Sequence, residues 1–216
     1  MLQNQAVHEL FPTPIWVADL DGEQRDSLNA FLLKSIYDLT EPRKELPPGG
    51  SWQTDPVLHE HTAFSDFMSV ATKMTRGALR FLDVEHERIV CTGCWANINP
   101  AGGKNSSHTH PNNYLSGVYY VQVPAKSGDI EFTDPRPQAG VIMPRSKTWN
   151  KFTGNKVSVP VAPGRMVVFP AWLNHAVPAN TSTEHRISIS FNFMFSHYTE
   201  TMSATLWDKG SARLRG

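Results

Sequence analysis

His108 and His110 sit one residue apart in the stretch SSHTHPNNYLSGVYYVQVP, which runs from Ser106 to Pro124. Residues i and i+2 of an extended chain point the same way, so both imidazoles can reach one point in space. That point is a metal ion, a substrate or only solvent. A third imidazole, His175, follows the apolar run GRMVVFP through the short loop AWLNHAV. Imidazole nitrogen suits iron, zinc, copper or nickel. Two ligands at i and i+2 with a third from a neighbouring strand form a three-ligand face that leaves other positions on the ion open. A His-x-His pair by itself is ordinary surface decoration, and the distant partner is what gives this one weight.

Arg186 comes eleven residues after His175, at the head of RISISFNFMF. This stretch alternates cleanly, with Arg186, Ser188, Ser190 and Asn192 on one face and Ile187, Ile189, Phe191 and Phe193 on the other. An Arg on an exposed strand face is usually a solvated charge. If the polar face lines a cavity, the cavity must hold something polar. An Arg with a Ser two residues on is then a compact carboxylate receptor: the fork donates two hydrogen bonds and the hydroxyl a third.

The elements that position these groups change character along the chain. Glu23 to Leu39 reads as a helix, with Leu28, Phe31, Leu32, Ser35 and Ile36 in an i, i+3, i+4 rhythm. The segment EPRKELPPGGSWQTDP then breaks regular structure, and its Trp52 is either part of a lid or a buried aromatic anchor. A second helix is expected over Thr62 to Leu82. From Arg88 onward short strands and turns take over, expected at 89–98, 114–123, 128–133, 140–143, 157–161, 165–170 and 185–195. Helices first and many short strands after them predict an α+β chain: a double-sheet barrel or jelly roll, with the N-terminal helices packed outside one sheet. At 216 residues the chain suits a single domain, 1–216. Residues 1–87 would form helical and loop support, 88–200 a jelly-roll core and 201–216 a C-terminal tail.

Composition narrows the function classes. Hydrophobic residues make up 40% of the chain, enough for a real core. Lys+Arg and Asp+Glu are both 20, so no net charge favours a nucleic-acid backbone or an acidic membrane surface. No apolar run approaches the roughly 20 residues of a membrane span. MLQNQAVHELFPTPIWV lacks the basic and apolar regions of a secretory signal, so a cytoplasmic protein is expected. Cys91 and Cys94 form CTGC, but no second ligand pair exists for zinc and the surrounding RIVCTGCWANIN reads as strand. Ordinary buried thiols are the expectation.

At this point the residues resemble a known family, the non-haem Fe(II)- and 2-oxoglutarate-dependent dioxygenases, and within it the prolyl-4-hydroxylase-like branch. The order HTH, LSGVYYV, SGDIEF, GRMVVFPAWLNHAV and HRISIS matches over roughly residues 93–195. LFPTPI and GGSWQTD look closest to a bacterial and phage group of such oxygenases. The resemblance implies a double-stranded β-helix core of cupin-like type, and Fe(2+), 2-oxoglutarate and O2 as cofactor and cosubstrates. The reaction would hydroxylate an unidentified small-molecule or peptidyl substrate with release of succinate and CO2. It makes His108 and His175 metal ligands and gives the cosubstrate's distal carboxylate to Arg186, Ser188 and Tyr120. Asn97 and Asn99 would face its keto-acid end. The family places a carboxylate where this chain has His110. Either three His bind the iron outright, or Asp129, Glu131 or Asp134 supplies the acid, or the iron chemistry is lost. The first is favoured, because His110 occupies the ligand position on the correct face. Two rival functions stay open, a three-His cupin-type dioxygenase without 2-oxoglutarate and a non-catalytic metal-binding jelly roll. A homodimer is compatible with any of them.

Overall fold

The computed structural model describes residues 3–40, 49–86 and 88–200. The chain opens with strand β1 (Trp16–Asp19) and helix α1 (Gly22–Thr40), continues through β2 (Trp52–Gln53) and α2 (Ser65–Phe81), and then enters the β region. There follow β3 (Ile89–Asn99), β4 (Asn105–His108), β5 (Leu115–Gln122), β6 (Ile130–Thr133), β7 (Lys156–Val159), β8 (Arg165–Pro170), β9 (His175–Val177) and β10 (Arg186–Phe195), with a last turn of helix, α3 (Ser196–Thr199). The tail 201–216 and the EPRKELPP segment, residues 41–48, lie outside the described residues.

Two antiparallel sheets face each other. The larger has the order β1-β8-β5-β10-β3-β2, the smaller β4-β9-β6-β7. From β3 to β10 sequence neighbours alternate between the sheets, except that β6 and β7 pair as a hairpin within the small sheet; this is the winding of a double-stranded β-helix, the expected jelly roll.

Side-chain parity sorts the large sheet into two faces. Ile187, Ile189, Phe191 and Phe193 of β10, with Cys94, Ala96 and Ile98 of β3, join Leu32 and Ile36 of α1 and Phe67, Ala71 and Leu79 of α2 in one apolar core. The opposite face meets the small sheet, where Val118, Tyr120, Val167 and Phe169 pack against Ile130 and Phe132. Gly117 is required at the helix-facing side of β5: a Cβ there would lie 2.3 Å from the Phe191 ring. The helices therefore cover one sheet from outside, as their apolar periodicity predicts. Phe31, read as part of the α1 apolar face, is exposed instead.

Three further differences from the sequence reading have physical causes, and the alternative left open for Trp52 is decided. Residues 140–143 are not a strand. A 3-10 turn spans Pro137–Gly140, and the exposed Val141 and Ile142 have no strand to pair with. The two N-terminal strands β1 and β2 pair with β8 and β3 at the sheet's edges, and at four and two residues they are too short to show a period. The second helix begins at Ser65, after a 3-10 turn over Thr62–Phe64. Trp52 is an anchor and no lid: it pairs with Ile98 and is only 7% exposed within the helix-side core.

Candidate metal centre and anion pocket

His108 does not lead directly into the Tyr-Tyr strand. It ends a separate short strand, β4, whose residues NSSH carry no apolar alternation and so gave no strand signal. β4 pairs with β9, and the pairing sets His108 directly opposite His175. The chain leaves β4 extended, and His110 is tied by its backbone N–H to the Ala171 carbonyl at 2.8 Å. Residues 67 positions apart in sequence thus meet. One ligand-capable atom from each of His108, His110 and His175 lies within 4.8 Å of the others. Ring centroids are separated by 4.9, 4.3 and 5.0 Å.

Local contacts orient the rings. His108 Nδ1 is 2.7 Å from the Ser106 carbonyl, and His175 Nδ1 is 2.9 Å from the Leu173 carbonyl. A carbonyl only accepts, so each Nδ1 carries the proton, and each Nε2 keeps its lone pair for a metal. Phe169 packs on His175 at 4.6 Å between centroids, with Phe132 at 6.1 Å, and Trp95 flanks His110 at 5.8 Å. Burial holds His110 down to about 3, with the neighbouring imidazoles adding to the effect, and holds His175 down to about 4. Both rings are therefore neutral at neutral pH, the form that binds metals.

The three acids held in reserve as alternative ligands are committed elsewhere. Asp129 accepts from the Val161 N–H at 3.1 Å, Glu131 pairs with Lys156 at 3.3 Å on the outer face of β6, and Asp134 forms a two-pronged pair with Arg136. Among the described residues, only the three histidines come together as a ligand group.

The second half of the site lies deeper in the same barrel. The polar face of β10 points inward: Ser188 and Ser190 line the cavity with the three histidines, Gln53, Trp95 and Asn97. The strand register sets Arg186 opposite Asn99, and Ser188 between Asn97 of β3 and Tyr120 of β5. Arg186 is 1% exposed. Its guanidinium donates to the Ser127 carbonyl at 3.1 Å and to Asn99 Oδ1 at 2.9 Å. Among the described residues no carboxylate pairs with it. Its Nε, the Tyr120 hydroxyl and Ser127 Oγ are all buried without a hydrogen-bond partner. Burial lowers the Arg186 pKa, with Tyr120 opposing the effect, and pushes the Tyr120 phenol up, so the hydroxyl stays protonated as a donor. A buried guanidinium with no carboxylate partner and an unpartnered Nε, together with the unpartnered Tyr120 hydroxyl and Ser127 Oγ, is a surround suited to an anion.

Of the residues named from sequence, His108, His110 and His175 are brought together. Arg186, Ser188 and Tyr120 share the inner face, and Tyr119 points to the helix side. Asn97 lines the cavity, with its amide bonded to Gln53 and Ser190. Asn99 instead holds Arg186 in place. Gln53, Ser127 and Trp95 were missed. Gln53 lies in GGSWQTD and Ser127 opens SGDIEF, but nothing in those stretches marked either residue for the site, and only the fold carries all three there.

A double-stranded β-helix thus carries a three-imidazole face with a buried arginine further in. Residues 93–192, a little under half of the chain, match the family model described as "Putative 2OG-Fe(II) oxygenase". No curated protein matches the chain in sequence. Solved structures are similar in fold. The non-haem α-ketoglutarate-dependent epimerase SnoN of nogalamycin biosynthesis superposes with a TM-score of 0.60 at 14% identity, covering 94% of this chain and 89% of its own. A Pseudomonas putida prolyl-4-hydroxylase gives 0.55 at 16%, covering 84% and 92%. HygX from Streptomyces hygroscopicus, solved with nickel and 2-oxoglutarate bound, gives 0.62 at 10%, covering 85% and 83%.

Proposed function

We propose that the chain is an Fe(II)- and 2-oxoglutarate-dependent oxygenase that hydroxylates a C–H bond, with His108, His110 and His175 as iron ligands. The observation that carries this reading is the buried Arg186, an uncompensated cation ringed by unfilled donors inside the barrel that holds the three imidazoles. A three-His enzyme without 2-oxoglutarate has no use for such a pocket.

The residues present fit the group. Arg186, Ser188 and Tyr120 take the distal carboxylate of 2-oxoglutarate, a dianion that three neutral imidazoles and a doubly charged cation balance in charge. Asn97 faces the keto-acid end, and Asn99 positions Arg186. Iron and 2-oxoglutarate, when bound, supply the oxidation: one atom of O2 enters the substrate as hydroxyl, the other enters succinate, and CO2 leaves. The protein's share is to hold neutral nitrogen donors in fixed tautomers, to bind the dianion in one orientation and to wall the site with Phe132, Phe169 and Trp95. HygX and SnoN, both solved with 2-oxoglutarate bound and with nickel or iron, support the same cofactor set here. Among the described residues no helix is long and apolar enough to cross a membrane. Cys91 and Cys94 are free thiols, which suits a reducing cytoplasm, where we place the enzyme acting as one domain.

Iron content after anaerobic reconstitution and desalting tests the ligand set. His110→Ala is expected to lose iron, since two ligands rarely hold a divalent ion tightly. His110→Asp is expected to retain it, with the family's carboxylate restored. Full iron occupancy in His110→Ala would remove His110 from the site.

A further inference from the structure

The cavity at the histidines is small, about 50 Å³, room for a few water-sized groups. A larger feature stands at its mouth. β6 runs toward the metal end, where Phe132 lies opposite His175, and its next backbone N–H, of Thr133, donates to the Asn174 carbonyl at 2.9 Å. The chain then departs for residues 134–155 before returning as β7, a loop longer than an ordinary connection, of a length that is often functional.

This insert exposes apolar side chains that a simple connection has no need of. Ile142 is 80% exposed and Trp149 62%, with Val141, Met143 and Phe152 similarly bare, around a depression of about 280 Å³. Trp172, 55% exposed, stands on the β8–β9 loop that leaves the same end of the small sheet. The insert is also basic: it carries Arg136, Arg145, Lys147 and Lys151 against a single acid, Asp134, in a chain whose net charge is zero. Arg136 is neutralised by Asp134 and Lys151 by Glu9. Arg145 and Lys147 have no acidic partner among the described residues. Monomeric proteins rarely expose a contiguous apolar surface rimmed by charge unless something binds there.

We propose that this insert is a docking platform for an acidic polypeptide segment bearing apolar side chains, so that the substrate presented to the metal centre is a polypeptide. The inference rests on the oxygenase reading above and names its substrate class. A small substrate would require an enclosed apolar pocket, whereas here the apolar surface is spread open, with aromatic and arginine side chains of the kind that anchor protein partners. A second copy of the chain would set the same cations against each other across a two-fold axis. An anionic membrane is normally met by clusters of 4–8 cations, more than the two left unpaired here.

Fluorescence anisotropy tests this with a fluorescein-labelled peptide that alternates glutamate with leucine and phenylalanine, and with a counterpart in which lysine replaces glutamate. The full-length chain is expected to bind the first and not the second. Arg145→Glu with Lys147→Glu should weaken binding at least about tenfold, and Trp149→Ser with Phe152→Ser likewise, at unchanged melting temperature. No binding of the acidic peptide, equal binding of the two peptides, or indifference to both double variants overturns the proposal. So does a dimer in sedimentation that Trp149→Ser with Phe152→Ser dissolves, which assigns the patch to self-association. Flotation with phosphatidylserine vesicles that the charge reversal abolishes assigns it to a membrane and equally overturns it. The two readings fail separately, because iron occupancy of His110→Ala reports on the metal centre and peptide anisotropy on the platform.

Discussion

The two faces of the six-stranded sheet are built from the same strands and obey different rules. On the helix side, Tyr119 donates its hydroxyl to Asn29 Oδ1 at 2.6 Å, amid Leu32, Phe67 and Ile189. On the cavity side, its neighbour Tyr120 buries a hydroxyl with no partner, close to an Arg186 Nε and a Ser127 Oγ in the same condition. A buried polar atom left unpaired costs about 1–3 kcal/mol. At Tyr119 the helix side bears none of that cost and works as a conventional core. The cavity side bears it three times within one small region, which makes sense if a ligand completes the hydrogen bonds. The comparison teaches how to tell a stabilising face from a binding face: by the polar atoms it leaves unfilled more than by how deeply it is buried.

Substitutions on the two faces should therefore separate stability from ligand affinity. The largest effect is expected from Trp52→Ala on the helix side, a loss of about 3–5 kcal/mol in unfolding free energy, as for other large aromatic truncations in a core. Chemical denaturation measures it. A change near zero would return Trp52 to the role of a lid. Next, Arg186→Ala on the cavity side should weaken 2-oxoglutarate binding by about 2–5 kcal/mol, the range for truncating one partner of a buried charge-assisted pair. Calorimetry on Mn(II)-loaded protein reads it, and equal affinity in variant and wild type removes the anion pocket. The smallest and most discriminating pair is Tyr119→Phe against Tyr120→Phe. Losing the Asn29 contact should cost about 1 kcal/mol of stability and leave 2-oxoglutarate affinity alone. Tyr120→Phe should leave stability unchanged, or raise it slightly, while weakening 2-oxoglutarate binding. The reverse pattern would place the β5 register one residue from where it is drawn.

Much of this was legible in the amino-acid order. The strict alternation of RISISFNFMF marked a strand with one polar face, and the fold confirms both faces, with Ile187, Ile189, Phe191 and Phe193 under the helices and Ser188 and Ser190 in the cavity. The i, i+2 spacing of His108 and His110 predicted a shared target, and the family resemblance selected Tyr120. These signals are local: period and spacing act over a few residues and survive without knowledge of the partner strands. Tertiary structure alone decided the rest. β4 and β9 are four and three residues long and largely polar, so nothing in them repeats. They exist because each pairs with the other and sets His108 against His175. The commitments of Asp129, Glu131 and Asp134, the burial of Trp52 and the arrival of Ser127 beside Arg186 likewise depend on residues far away in sequence. A strand or a contact stabilised only by such non-local pairing has no periodic trace of its own, which is why the candidate ligands could be named from the sequence while the geometry that brings them together could not.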